Sequence, residues 1–452
     1  MNPNPSGIQL RPLDVHLPPY ELYKSLAHRF ENSFILESAV GDSRTVAYSF
    51  LGFGPECVLR CSKGKVHGGE GLDHLRQEPM EFLRAFLKER GIGDQTFSYL
   101  GGLVGYLSYE FASLTERSFI GEEHADFPVF ELGYYPEGVI YDHSSFRAFY
   151  FGNGEGELLE ALGATEPIEA PRMRLGTSRT RTSQEDFEEA VVEAKTRILA
   201  GEAFQIVLSR GLEHDYSGDP LALYSALRAT NPSPYMFYLD LGPRKVLGSS
   251  PETLVSLRKG ELSTFPIAGT RPTGSGAREQ RQYREEMLRD EKERAEHCML
   301  VDLARNDLGK VCELESVHVP QFMQAESFSH VQHIVSKVQG TLAKGKDAVD
   351  ALAAMFPAGT VSGAPKPRAM EIIAELEGAP RGPYAGGVGY LSRNGNLDSA
   401  ITIRSAFCTN DLLHLQAGAG IVADSDPTRE YLETEQKLKA LSASISRLGG
   451  SA

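Results

Sequence analysis

Near its C-terminal end the chain reads REYLETEQK, residues 429–437, which sets Glu430, Glu433 and Lys437 at i, i+3 and i+7. Asp426 offers a capping side chain just before, and Pro427 suits the first helical position. In a helix this spacing lays both carboxylates and the ammonium along one stripe. The segment EKERAEH repeats the pattern with Glu293 and Glu296, followed by His297. Two helices that each offer carboxylates at i and i+3 across a cleft supply the all-oxygen donor set of a hard divalent cation. Magnesium suits it, because it keeps several waters and takes one or two protein carboxylates together with anionic groups of a substrate. The same spacing also occurs on solvated helix faces, where Glu–Lys pairs are common. The rest of the chain must decide between the two.

The elements that position these residues belong to a chain of 452 residues, enough for two domains or one large layered unit. A formal net charge of −15 argues against a nucleic-acid or anionic-membrane partner, since either needs a clustered positive field. A small anionic substrate remains possible, because it responds to local charge. The opening MNPNPSGIQLRPLDV has neither the basic nor the apolar region of a secretory signal, and no apolar run reaches membrane-span length. Five cysteines, odd in number and mostly far apart, argue against a disulfide framework and for a reducing compartment. Cys57 and Cys61 form a lone C-x3-C with no second pair. The expectation is a cytoplasmic protein with no nucleic-acid or membrane partner.

Residues 1–152 mix helical signals such as PMEFLRAFLKERG with β-rich runs such as SFILES and FRAFYFG. Residues 153–181, rich in Gly, Glu, Pro, Thr and Arg, predict a linker. Thr182 and Glu185 have the spacing of a capping box, opening a helix with Phe187, Ala190, Val191, Ala194 and Ile198 on one face and a stop at Gly201. From 182 to 452, strand-like FQIVLSR, HIVSKVQGTL, SAITIRSAF and LLHLQAGAGIVA accompany a long helix near residues 283–305, the helical PKPRAMEIIAELEG and the C-terminal helix. Strands in succession without intervening helices predict an α+β fold of layered mixed sheets with outer helices. Two phosphate-binding readings fail. GAGIVA satisfies G-x-G-x-x-A but lacks a βαβ unit, and GTVSGAPK lacks the G-K-[ST] ending.

Longer matches supply the context. SSPE, PIAGTRP, EHCMLVDLARNDLGKV, FSHVQHIVSKVQGT, FPAGTVSGAPKPRAMEII, RGPYAGGVGY and QAGAGIVADSDPTREYLETEQKLKAL follow one another in the order found in chorismate-utilising enzymes. The chain resembles the anthranilate synthase component I members of that family over essentially its whole length, most strongly from Glu185 onward. The resemblance implies their fold, with residues 1–152 contributing a tryptophan feedback site and 182–452 forming the chorismate-binding catalytic domain. It also implies Mg2+-dependent amination of chorismate by ammonia, then loss of pyruvate to give anthranilate. The nearest rival is an aminodeoxyisochorismate synthase, which stops before pyruvate leaves.

By the same resemblance, Glu296 and Glu433 are the direct magnesium ligands, with Glu293 and Glu430 near the metal through water. Tyr384, Arg404 and backbone N–H groups at Gly418, Ala419 and Gly420 anchor the enolpyruvyl carboxylate, and Lys437 helps neutralise the dianion. Glu252 matches the general acid for the departing hydroxyl, a role that requires burial or a like charge to keep its carboxyl protonated. Gly269, Thr270 and Thr360 match the walls around the reacting ring edge. His333 matches the histidine of the proton-loss step, and His330 would face the other side of the strand, making a poor metal pair. On local pattern alone Arg404 fits an ion pair with an acidic helix, Tyr384 fits an amphipathic core, and His333 fits a structural histidine.

Two positions bear on the nucleophile. Relatives that add water carry a lysine base where this chain has Gln205, so ammonia, already nucleophilic, becomes the better candidate. Relatives that make aminodeoxychorismate carry PIKGT, whose lysine attacks the ring, where this chain has Ala268. PIAGTRP is commonly followed by Arg-Gly, and here Thr273-Gly274 stands instead. No cysteine occupies the G-x-C-x-G setting of a glutamine amidotransferase, which implies a separate glutaminase subunit supplying ammonia. FILESAV with Ser38, and NPSPYMFYLD with Pro234, Tyr235 and Met236, match the two tryptophan-binding segments of feedback-regulated members. Without the resemblance they read as a buried strand and a proline turn.

Overall fold

The computed structural model describes residues 8–38, 48–69, 72, 78–116, 119, 121–163, 168–327 and 331–446. Alternation along the strands sets the layering. Phe34 and Leu36 face one side of the Ser33–Glu37 strand and Ile35 the other, and both sides are covered. The larger sheet runs in the order Gln9–Leu13, Arg147–Gly152, Gly138–Asp142, Tyr48–Phe53, Ser33–Glu37, Tyr235–Leu241, Arg244–Ser250, Ser405–Cys408, Leu412–Ile421, Gln205–Gly218, Met173–Thr180. The second runs Ile267–Pro272, Val331–Thr341, Glu261–Thr264, Thr253–Arg258, Leu397–Ile401, Gly387–Ser392, Gly102–Leu107, Phe130–Tyr135, Cys57–Ser62, Lys65–His67. Neighbours pair antiparallel, for instance Ile206 with Ile421 and Gly387 with Leu107. One core lies between the sheets, joining Phe34, Phe237 and Phe407 to Leu132, Val255 and Tyr390. A second lies between the larger sheet and helices carrying Leu22, Tyr224 and Leu438. This is the α+β layering, with helices outside, that the succession of strands predicts.

Both sheets take strands from either side of residues 153–181. That segment is more than the expected linker. It holds the Glu157–Leu162 helix and the Met173–Thr180 strand, which pairs with Gln205–Gly218 as an edge. Composition hid this because an edge strand keeps its outward face polar, and among the described residues of the segment only a few apolar anchors, Leu158, Ala161, Leu162 and Met173, are buried. The long helix near 283–305 is two helices, Ala277–Arg289 and Glu291–Gly309. They meet at Asp290, whose carboxylate accepts the Lys292 and Glu293 N–H groups as an N-cap. The cap of the Gln184–Leu199 helix is Ser183, bonded to the Asp186 N–H, rather than Thr182. Asp426 accepts the Arg429 N–H at 2.9 Å, as expected.

Among the described residues four short segments pass from one sheet to the other, and two of them carry expected site residues. Arg244–Ser250 continues through Pro251 and Glu252 into Thr253–Arg258, and Leu397–Ile401 continues through Thr402–Arg404 into Ser405–Cys408. SAITIRSAF is therefore two strands, and Arg404 takes a positive φ of 50° at the crossing. The Glu291–Gly309 helix packs on the second sheet, against Ile267–Pro272 and Val331–Thr341. The Pro427–Ser446 helix packs on the larger sheet at Leu412–Ile421 and against Gln184–Leu199. His330 lies outside the described residues. All five cysteines are free thiols, and among the described residues no helix is long and apolar enough to cross a membrane.

A buried carboxylate ties the sheets together. Glu131 of the second sheet accepts from Arg60 at 2.6 Å, from Arg244 of the larger sheet at 2.6 and 2.9 Å, and from the Tyr106 hydroxyl at 3.2 Å. Removing one partner of such a cluster strands the others in a dry interior. Glu131→Gln is expected to cost about 3 kcal/mol, read as a lower urea midpoint at unchanged slope.

Candidate active site

A cavity of about 1130 Å³ lies where the two carboxylate-bearing helices face each other, and Glu293, Glu296, Glu430 and Glu433 all line it. Burial raises the Glu296 carboxyl above its ordinary range, with Glu293 and Glu433 adding repulsion against the Gln205 hydrogen bond and Lys292. Burial likewise raises Glu430, and Glu433 adds to it. Glu433 thus acts on an acid of each helix, and the two stripes form one electrostatic cluster. Cations answer part of this charge. Lys437 Nζ stands 2.8 Å from Glu433 and donates to the Gly418 carbonyl at 2.7 Å, while Arg271 reaches Glu293 and Asp290 at 3.1 Å each.

The donor set is all oxygen. Gln205 Nε2 donates to Glu296 Oε1 at 3.0 Å, and its own Oε1 is buried without a partner. Gly420 makes room for that amide, since a Cβ there would come within 2.8 Å of Gln205 Nε2. Among the described residues no three acidic, histidine or cysteine side chains close on one point tightly enough to hold an ion unaided. The arrangement fits a hard cation that shares its coordination with water and a bound anion, which is how magnesium is commonly held.

Further into the cavity, the strand Ile267–Pro272 bulges between Ala268 and Arg271, placing Gly269 and Thr270 on the wall. Gly269 adopts φ +62°, a conformation that favours glycine. Its carbonyl accepts from His333 Nδ1 at 2.7 Å, which puts the ring proton on Nδ1 and makes Nε2 the basic nitrogen. Burial lowers the His333 pKa, and Arg404 adds to the lowering against the Gly269 bond. The shift favours the neutral ring.

Glu252 sits at the sheet crossing before Thr253–Arg258. Thr360 donates to its Oε1 at 2.8 Å, and burial lifts the carboxyl to about 7 against Thr360 and Arg404, which both lower it. Burial, not a neighbouring acid, supplies the protonation that the general-acid role requires. Thr360 and Arg404 line the main cavity, and Glu252 borders a smaller void of about 30 Å³ directly behind Thr360.

Not every expected residue reaches the cavity. Tyr384 is buried behind the wall, its hydroxyl against Gly418, and the Ala419 methyl belongs to the core with Ile206 and Ile373. The strand Leu412–Ile421 explains why. Its outer edge pairs with Ser405–Cys408 only as far as Leu415, and the Gly418 carbonyl points to the remaining open edge, where Lys437 meets it. Backbone N–H and C=O of one residue share an edge, and residues two apart repeat it, so the Gly418 and Gly420 amides face that edge too. Sequence reasoning missed Arg271, Asp290 and Lys292. The arginine in PIAGTRP and the lysine inside EKE are the signals available for them.

Ser38, Pro234, Tyr235 and Met236 do come together, around a small void of about 60 Å³ between the two sheets. Tyr235 donates to Asp398 at 2.9 Å, and the Ser38 hydroxyl and Arg258 Nε are buried without partners.

The chain matches the chorismate binding enzyme family across residues 18–443, and it belongs to that family. Within it, the chain is similar to anthranilate synthase component 1 of Methanothermobacter marburgensis, 48% identical over 95% of this chain and 93% of the relative. Component 1 of Saccharolobus solfataricus is 41% identical over 97% and 99%. The crystal structure of anthranilate synthase component I from Streptococcus pneumoniae superposes with a TM-score of 0.78 at 34% identity, covering 89% of this chain and 93% of that one. The menaquinone-specific isochorismate synthase of Escherichia coli shares the fold at a TM-score of 0.75 and 20% identity, covering 97% and 94%.

A carboxyl whose folded pKa stands above its unfolded value stabilises fully below the unfolded value, and the contribution is lost as pH rises through the folded one, here about 7. Glu252→Gln is therefore expected to raise the thermal midpoint, relative to the parent chain, more at about pH 8.5 than at about pH 5.

Proposed function

We propose that this chain is the large subunit of an anthranilate synthase, a cytoplasmic enzyme that aminates chorismate with ammonia and eliminates pyruvate to give anthranilate. The single observation that carries this reading is the convergence of Glu293, Glu296, Glu430 and Glu433 on one cavity that also holds His333, Thr360 and Arg404. Names of relatives matched over nearly the whole chain support it.

In this reading Glu296 and Glu433 would hold magnesium, with Glu293 and Glu430 near it through water, and the bound ion would supply positive charge to offset that on the ring carboxylate. Glu252 gives its proton to the leaving hydroxyl, which departs as water as the new C–N bond forms. Gln205 offers no base to activate water, and Ala268 offers no nucleophile, so the incoming atom is the nitrogen of ammonia, which then sheds a proton. Arg404, Lys437 and the open-edge amides of Gly418 and Gly420 hold the enolpyruvyl carboxylate, while Tyr384 supports that strand from behind. His333 Nε2 takes the ring proton, the C–O bond to the enolpyruvyl group breaks, and pyruvate leaves from an aromatic product. Ammonia comes from a separate glutamine amidotransferase subunit.

L-Tryptophan is the proposed feedback inhibitor at Ser38, Pro234, Tyr235 and Met236. An ammonium and a carboxylate would complement Asp398 and Arg258, which pair with each other at 3.1 Å, and the Ser38 hydroxyl lacks a partner. The void is smaller than an indole, so binding must part the sheets locally. Both sheets reach the catalytic cavity, which gives the inhibitor a mechanical route to it.

Incubated with chorismate, ammonium and magnesium, the chain is expected to release fluorescent anthranilate and pyruvate together. An amino intermediate without pyruvate would instead indicate an aminodeoxyisochorismate synthase, and turnover from glutamine as fast as from ammonium would remove the separate glutaminase. Glu433→Gln should lower kcat by about a hundredfold with an unchanged thermal midpoint. Saturating tryptophan should suppress turnover, and Ser38→Ala should weaken that suppression; insensitivity of the parent chain would remove the inhibitor site.

A further inference from the structure

Arg381 follows the Lys366–Glu377 helix and is only 3% exposed. Its three guanidinium nitrogens are all committed within the interior. Nε donates to Glu377 Oε2 at 2.8 Å and Nη1 to the Val361 carbonyl at 2.8 Å, while Nη2 donates to the Val207 carbonyl at 2.7 Å and to Glu377 Oε1 at 2.5 Å. The Tyr109 ring centroid stands 4.5 Å from its central carbon. A cation this deep forgoes hydration, and a buried ion pair is a poor source of stability. What the guanidinium holds is therefore the informative part.

It holds two walls of the catalytic cavity, which Val207 and Thr360 both line. Consider the edge of the Gln205–Gly218 strand that faces away from Leu412–Ile421. Strand partners cover it at Gln205 and Ile206 and resume at Leu212. In the gap Arg381 serves the Val207 carbonyl, and Glu377 Oε1 accepts the Ser209 N–H at 2.7 Å, so the ion pair takes the place of a neighbouring strand. Gln205, two residues before Val207, donates to Glu296. The second wall is the Gly359–Ser362 helix, a single turn whose last carbonyls have no partner along the helix. Arg381 supplies one to Val361, and the residue before it, Thr360, donates its hydroxyl to Glu252 Oε1 at 2.8 Å.

We propose that Arg381 is a positioning residue for the general acid, keeping Thr360 in hydrogen-bond contact with Glu252 by tying the Val361 carbonyl to the larger sheet. That Glu252 serves as an acid rests on the amination reading above. The Thr360 bond favours the charged carboxylate and so opposes burial, as Arg404 does. Arg404 is the charged group acting on Glu252, and Asp307, paired with Lys366 at 2.7 Å and Lys310 at 2.8 Å, borders the void behind it. Arg381 bonds to none of these, so a change at Arg381 reaches the carboxyl through Thr360.

The test uses the full chain and Arg381→Lys, which keeps a positive charge beside Glu377 but loses the planar fork. The thermal midpoint of each chain is compared with that of its Glu252→Gln counterpart from about pH 5 to about pH 9. In the parent, the Glu252 contribution fades as pH rises through about 7. In Arg381→Lys it is expected to fade about one pH unit higher, because the lost hydrogen bond favoured the charged form. Thr360→Val should give the same displacement, and Arg381→Lys added to it should give no more. In amination at constant free ammonia, Arg381→Lys should lower kcat by about tenfold and carry the alkaline limb of kcat upward with the carboxyl. Glu377→Gln, which keeps an acceptor for Ser209 while loosening Arg381, should act in the same direction and serves if Arg381→Lys does not fold. A uniform loss of stability with the Glu252 pH dependence unmoved would overturn the proposal, as would a further displacement on top of Thr360→Val. A displaced thermal profile in a chain that forms no aminated product would remove the amination reading and leave the positioning role standing.

Discussion

Carboxylates forced to share a partly buried cavity are the constraint around which the molecule is arranged. Burial raises the Glu296 and Glu430 carboxyls, and Glu433 adds to both, to Glu296 across the cavity and to Glu430 one turn away on its own helix. Such a cluster draws positive charge toward it. Lys292, Lys437 and Arg271 supply some, and the hold of Lys437 on Glu433 and of Arg271 on Glu293 and Asp290 keeps those side chains oriented. The acidic lining fits a hard cation that would bring water and an anionic group with it.

The sheets make this convergence possible. One acidic helix rides on each sheet, so the distance between the helices is fixed by the inter-sheet core and by Glu131, which pairs with arginines from both layers. The crossings place Glu252 and Arg404 where the layers exchange strands. There a carboxyl can be buried deeply enough to stay protonated, and a cation can stand beside it. Arg404 pays for its position with a left-handed backbone, the kind of local strain that a surrounding structure must over-determine.

Legibility in the sequence followed the range of the interactions involved. The helix spacing of Glu293 with Glu296, and of Glu430 with Glu433, is a local property, and the Asp426 cap confirms the register. The resemblance to chorismate-utilising enzymes joined the two stripes, which no local pattern could. The crossing inside SAITIRSAF was invisible because apolar alternation runs through it and only the φ of Arg404 marks the break. The division at Asp290 was missed for the converse reason: helical periodicity continues across it, and a capping aspartate in the middle of a charged run looks like any other surface acid. The strand Met173–Thr180 was lost in a composition that suits an edge as well as a linker. Ala419, named for its backbone, turns its methyl into the core because strand neighbours alternate faces.

The most direct measurement is cation binding itself, with manganese(II) as a spectroscopically visible stand-in for magnesium, followed by electron paramagnetic resonance in the presence of chorismate. The account requires one ion per chain for the parent protein and loss of that ion in Glu296→Gln and Glu433→Gln alike, although the two residues sit on different helices and different sheets. Undiminished binding in either variant would mean that the two stripes do not serve one ion.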